Sequence, residues 1–248
     1  MFANRSVLDW PTGTTVFKPE KCYNGYTVIT PYRSHQVFLV DMAGRVVQTW
    51  FADPDRLAQS WFVRRLSNGN WMALNYYQQP PDPSQPRDLM PDSSSSSGLE
   101  AELVEFDWHG TVQWRWKPPE DSFVNHDMAR LENGNTLVLL EKQAENPEVN
   151  AQSFRDEYFA EVTPGGDIVW EWYTSEHLDE MGFSEEARRL MYRHQGPIWH
   201  TNTLSVLPGN ELEKTDSRFA KGNILTSQRE TNLVYILDRQ SGEVVWTW

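Results

Sequence analysis

The chain has 248 residues, 12 of them tryptophan, with one cysteine and a formal charge of -13. A mean hydropathy of -0.64 and apolar runs of only strand length exclude a bilayer-spanning helix, which needs about 20 apolar residues. The acidic field repels phosphate backbones and so excludes general nucleic-acid binding, and Cys22 alone can form neither an internal disulfide nor a zinc site built on several thiolates.

Taken in chain order, Val37–Val40 reads as a strand, Asp41–Gly44 as a tight turn, and Val46–Trp50 as a second strand. Asn68-Gly69-Asn70 is a hairpin signal, followed by a strand from Trp71 to Leu74. Residues 78–98, rich in proline and serine, predict a long loop. The strand–Gly–Trp pattern then returns. Leu103–Phe106 leads to Gly110, Trp114 and Trp116, and Tyr158–Val162 leads to Gly166, Trp170 and Trp172. Leu233–Leu237 leads to Gly242, Trp246 and Trp248. Between these copies lie a second hairpin at Asn133-Gly134-Asn135 and an interrupted one, which starts at Pro208-Gly209-Asn210 and resumes at Gly222-Asn223. Residues 175–194 predict a helical insert, with Ser184 as cap and Ala187, Leu190 and Met191 on one face.

In all four copies a tryptophan stands six residues after the glycine, and in three a second stands four after it. Even offsets place these rings on one side of a strand, which predicts a buried aromatic face. Two hairpins per copy make a four-stranded antiparallel blade, and blades in series predict an all-β propeller with one short helical insert. A β-sandwich with coincidental tryptophans is the alternative, and the constant spacing argues against it. The chain as given carries about three and a half blades. A six-bladed ring at a mean spacing near 66 residues needs roughly 400, so a single incomplete propeller over residues 1–248 is expected, or two chains completing one ring.

Six histidines are available (His35, His109, His126, His177, His194 and His200), and three of them, His35, His109 and His177, read as solvated or incidental. His126 and His200 each lead a strand toward a blade turn, so repeat equivalence sends both toward one region. A packing role is equally compatible with that placement. Arg229, between two strands of an acidic chain, calls for an anionic ligand or for a carboxylate such as Asp127.

The segments Gly25–Pro31, Val40–Gly44 with Trp50, His126-Asp127 with Asn133-Gly134-Asn135, Trp199-His200-Thr201-Asn202-Thr203, Gly222–Arg229 and Asp238–Trp248 occur in an order that resembles the bacterial arylsulfotransferase family. The resemblance implies a six-bladed propeller that moves a sulfuryl group from a phenolic sulfate ester to another phenol through a sulfohistidine. It implies no cofactor and no metal. By the same resemblance His126 and His200 are catalytic, Asn202 and Arg229 bind the sulfate oxygens, and the nucleophilic histidine belongs to a later blade, beyond residue 248. The implied partners are a small aryl sulfate and a phenol, with neither nucleic acid nor membrane, and self-association is a route to a closed ring. Family members are often periplasmic, although the start of the chain lacks the apolar core of a signal peptide. Two further readings remain: a non-catalytic propeller that binds a ligand or protein, and a quinone-dependent dehydrogenase, for which no calcium or quinone site is evident.

Overall fold

The computed structural model describes residues 14–31, 34–51, 53, 58–78 and 99–248. The loop expected at 78–98 lies, from residue 79 on, outside the described residues. The fold is nearly all-β. Its sheets are blade-like, in keeping with a propeller-like fold, and the described residues contain one α-helix.

The first sheet runs β1 (Thr27–Ile29), β2 (Gln36–Val40), β3 (Val46–Phe51). The second runs β4 (Ala58–Arg65), β5 (Trp71–Gln78), β6 (Leu99–Phe106), β7 (Val112–Trp116). The third contains β8 (Ser122–Arg130), β9 (Thr136–Ala144), β10 (Phe154–Val162), β11 (Ile168–Tyr173). The fourth contains β12 (Ser205–Val206), β13 (Ile224–Gln228), β14 (Leu233–Leu237), β15 (Val244–Thr247). By internal contacts the chain divides into two compact units, Met1–Pro83 with Val104–Trp114, and Ser84–Leu103 with Arg115–Trp248.

The repeat has a different phase from the one expected. The Gly–Trp hairpin does not open a blade; it joins the third strand of each four-stranded sheet to the fourth, and closes the sheet. β15 is therefore the outer strand of a four-stranded sheet. Local chemistry builds these turns. Asp41 and Asp107 accept backbone N–H groups from the residues two and four positions on. The glycine closes the turn at positive φ (78° at Gly44, 83° at Gly110), where a side chain would be strained.

The tryptophan six residues after each glycine links its sheet to the next turn. Trp50 Nε1 donates to the Trp108 carbonyl at 2.8 Å, Trp116 Nε1 to Gly166 at 3.1 Å, and Trp172 Nε1 to Gly242 at 2.7 Å. These three indoles are buried, whereas Trp248 at the same repeat position is 81% exposed. The tryptophans four after the glycine, Trp114, Trp170 and Trp246, are half-buried, so the aromatic face grades outward along the strand.

Within the second unit a core cluster joins Leu137, Leu139 and Phe159 of the third sheet to Ile224, Tyr235 and Leu237 of the fourth. The interrupted hairpin closes across its insert through Leu207 N–H to Asn223 and Gly222 N–H to Leu207. The helix α1 spans Glu185–Arg193, and Ser184 Oγ caps it by accepting from Ala187 N–H. Leu190 departs from expectation and is exposed; Met191 alone of the expected face packs against the cluster of Val149, Phe154, Leu178, Ile198 and Trp199. His177 also departs: it stacks on Trp172 at 4.5 Å and meets the Glu180 carboxylate, because the insert folds back over the aromatic strand.

Candidate functional site

His126 lies inside β8, where the ladder with β9 breaks between Val124 and Met128. Three residues leave the pairing, and His126 takes φ 45°, a left-handed conformation uncommon for a non-glycine residue. His200 precedes β12 and adopts φ 52°. Its carbonyl accepts Arg229 N–H at 3.0 Å, and Trp199 accepts Glu230 N–H at 3.1 Å, so the His200 segment runs against the end of β13. Thr201 bridges Gln228, and Asn202 N–H donates to Ser227. Two left-handed histidines on neighbouring sheets cost on the order of 1–2 kcal/mol each, and such strain clusters at functional positions.

The two imidazoles face one another, with ring centroids 5.0 Å apart and planes at 55°. Burial pushes the His126 imidazole down to about 4, helped by the charges of His200 and Arg229. Burial and the Arg229 charge also lower His200, Glu230 opposes them, and Arg155 adds to the lowering. Near neutral pH both rings are therefore uncharged, with one lone pair and one N–H each.

Asp127 is not the partner of Arg229. Its carboxylate accepts Met128 N–H at 2.9 Å and Leu204 N–H at 2.8 Å, and so ties the strand carrying His126 to the strand following His200. The guanidinium pairs instead with adjacent Glu230 (Nε to Oε1, 2.9 Å), with both side chains substantially exposed. Of the two partners the sequence suggested, an anionic ligand or a carboxylate such as Asp127, the second is replaced by the neighbouring Glu230.

Sequence reasoning also missed a layer of carboxylates beneath the histidines. Glu157 Oε2 accepts Thr201 N–H at 2.6 Å, and Asp156 Oδ1 accepts Trp199 Nε1 at 3.1 Å. Glu141 takes Arg155 at 2.8 Å and the Asn125 amide at 3.3 Å. All three carboxylates are buried. The available signal was the run Arg155-Asp156-Glu157 directly before the apolar Tyr158-Phe159-Ala160, since charges inside a buried strand require partners. Two neutral imidazoles, with the Arg229 charge close enough to lower both of them, offer N–H donors, lone pairs and one positive charge, the chemistry that suits a multi-oxygen anion; Asn202 is placed here through its backbone bond to Ser227.

The family model described as Arylsulfotransferase (ASST) matches residues 14–248. Among solved structures, the chain is similar to a protein of unknown function from Bacteroides caccae, at 13% identity and a TM-score of 0.41, over 87% of this chain and 54% of that one. It is also similar to the Kuenenia stuttgartiensis hydrazine synthase, at 12% identity and a TM-score of 0.49, over 86% of this chain and 49% of that one. The chain thus spans about half the length of these structures. The comparison with curated proteins found no match.

Proposed function

The chain belongs to the arylsulfotransferase family, and from that premise we propose that the His126–His200 site serves sulfuryl transfer from a phenolic sulfate ester to a phenol. The donor is a monoanion whose charge spreads over three non-bridging oxygens, and the transition state keeps it there, as in phosphoryl transfer. The Arg229 fork and the Asn202 amide suit those oxygens, and each imidazole can offer one N–H. In the covalent route a nucleophilic imidazole nitrogen bonds to sulfur while the sulfur–oxygen bond to the aryl group breaks. The phenolate leaves with the bonding pair and accepts a proton, and the acceptor phenol then attacks the sulfohistidine. The family resemblance assigns that nucleophile to a later blade and leaves His126 and His200 to support transfer and leaving-group departure. A bound sulfate ester would raise the pKa of both imidazoles, so that the proton is taken up as the donor arrives.

The observation that carries this reading is the 5.0 Å imidazole pair, with Arg229 held by its backbone against His200. The assay is nitrophenol release from 4-nitrophenyl sulfate in the presence of a phenol. Arg229→Ala should lower kcat/KM by roughly 10- to 100-fold, the range for one charge-assisted contact of about 1.5–3 kcal/mol. Measured on a protein that also carries the later blade, unchanged kinetics would remove Arg229 from the site, and a wild type silent in this assay would sink the transfer reading.

A further inference from the structure

We propose that Glu157 is a positioning residue for the His200–Asn202 segment, its buried carboxylate holding the Thr201 backbone N–H and thereby fixing where the His200 imidazole points. The inference rests on the transfer reading for its kinetic consequence, though its geometry stands apart from it. Glu157 is 4% exposed and lies in the middle of β10, paired across the ladder with Glu141 of β9. Its Oε2 receives Thr201 N–H at 2.6 Å, a length typical of a charge-assisted bond. Thr201 directly follows His200, whose backbone sits at φ 52°. A left-handed histidine returns to ordinary backbone angles unless its surroundings over-determine it. Two restraints do so here: the Arg229 N–H bond to the His200 carbonyl, and the Glu157 bond to the next amide. Glu157 would touch no substrate; it would act through Thr201.

The groups facing Glu157 make this restraint sensitive to pH. Glu141 on β9 and Asp156 beside it on β10 are acidic, and Tyr235 of β14 lies close and fully buried. Arg155 neutralises Glu141, and the histidines contribute no charge near neutral pH. Burial is the main cause that raises the Glu157 carboxyl to about 7, with Glu141 and Asp156 adding to it and the Thr201 bonds opposing. Above that pH the carboxylate is charged and grips the amide; below it, the grip weakens. In the free protein His126 titrates near 4 and His200 below its ordinary value, so a limb near 7 in kcat/KM, which reports the free protein, would not come from either ring.

The test compares wild type, Glu157→Gln and Glu157→Asp, each first checked for unchanged folding by circular dichroism. Nitrophenol release from 4-nitrophenyl sulfate, by a protein that also carries the later blade, is followed between pH 5.5 and 9. In the wild type kcat, and with it kcat/KM, should rise through a limb near pH 7, with KM little altered. Glu157→Gln should lose the limb and about tenfold in kcat at pH 8. Glu157→Asp, one methylene short, should keep the charge yet also lose kcat. A limb that persists in Glu157→Gln overturns the proposal. Amide NMR gives a readout independent of turnover. The Thr201 N–H should resonate far downfield and move near pH 7 in the wild type, and should stay fixed in Glu157→Gln. If the protein transfers no sulfate but this resonance behaves so, the positioning role stands and the transfer reading falls. A Thr201 amide indifferent to pH and to Glu157 overturns the positioning role whatever the activity.

Discussion

The indole that links each sheet to the next glycine turn offers a quantitative test of the repeat. Trp172 is 3% exposed, donates to Gly242 at 2.7 Å, and lies against Phe159 and Tyr235 with centroids 5.7 and 6.0 Å away. Trp172→Phe keeps a six-membered ring but deletes the donor and the second ring. The lost hydrogen bond costs about 1 kcal/mol net, and the void left by the missing ring about 1–2 more. Trp172→Ala should cost about 3–5 kcal/mol. Trp248 has the same place in the motif but is 81% exposed, so Trp248→Phe should change stability by no more than about 0.5 kcal/mol. Urea denaturation followed by far-ultraviolet circular dichroism measures the difference. At about 2–4 °C per kcal/mol for a chain of this size, Trp172→Phe should lower Tm by roughly 4–12 °C. Equal shifts for Trp172→Phe and Trp248→Phe would show that motif position, not burial and the indole bond, sets the contribution, and the account of the link would be wrong.

Much of the fold was written locally. The Asp–Gly turns follow from an aspartate that accepts two nearby amides and a glycine free to take positive φ, and both are readable from adjacent residues. The even spacing of tryptophans announced strands with one aromatic side. The phase of the repeat was not legible, because a hairpin has the same pattern whether it opens or closes a sheet. That choice depends on pairing between distant segments, such as β12 with β13 across the polar insert. The exposure of Leu190 was likewise beyond periodicity, since α1 is a short insert whose neighbours are set by the chain around it.

At the site, His126 and His200 stood out because each is polar and leads a strand, and the structure brings their rings to 5.0 Å. Their left-handed backbone was hidden, since histidine carries no glycine-like signal for it. The carboxylates beneath them were hidden for another reason. The strand read from the sequence starts at Tyr158 and leaves Asp156 and Glu157 outside it, yet they accept from Trp199 and Thr201 in the interior. Pairing Asp127 with Arg229 by opposite charge ignored the backbone. The Leu204 N–H leaves the ladder and needs an acceptor, and a buried amide outbids an exposed guanidinium that finds Glu230 next door.

Asp127→Asn keeps the shape but offers one acceptor oxygen for two amides, and should lower stability by about 1–3 kcal/mol in urea denaturation; no change would mean that the Met128 and Leu204 bonds are dispensable. The last prediction concerns two groups of opposite sign. The His126 ring is pushed down from 6.5 to about 4, so on acidification the unfolded chain binds this proton first. Stability from His126 is therefore present above pH 6.5 and lost as pH falls toward 4. The displacement corresponds to about 3 kcal/mol, reduced to about 1–2 because the ring is partly exposed and solvent screens it. Glu157 is raised from 4.5 to about 7, so its contribution is present below pH 4.5 and lost as pH rises through 7. The windows overlap and the effects oppose one another, so the wild type should show a shallow stability profile between pH 4.5 and 8. His126→Gln removes the acid-side loss and should gain stability relative to wild type by about 1–2 kcal/mol on going from pH 8 to pH 4.5. Urea denaturation at both pH values decides it: a His126→Gln difference that is the same at each would mean that the buried ring titrates as it does in the unfolded chain.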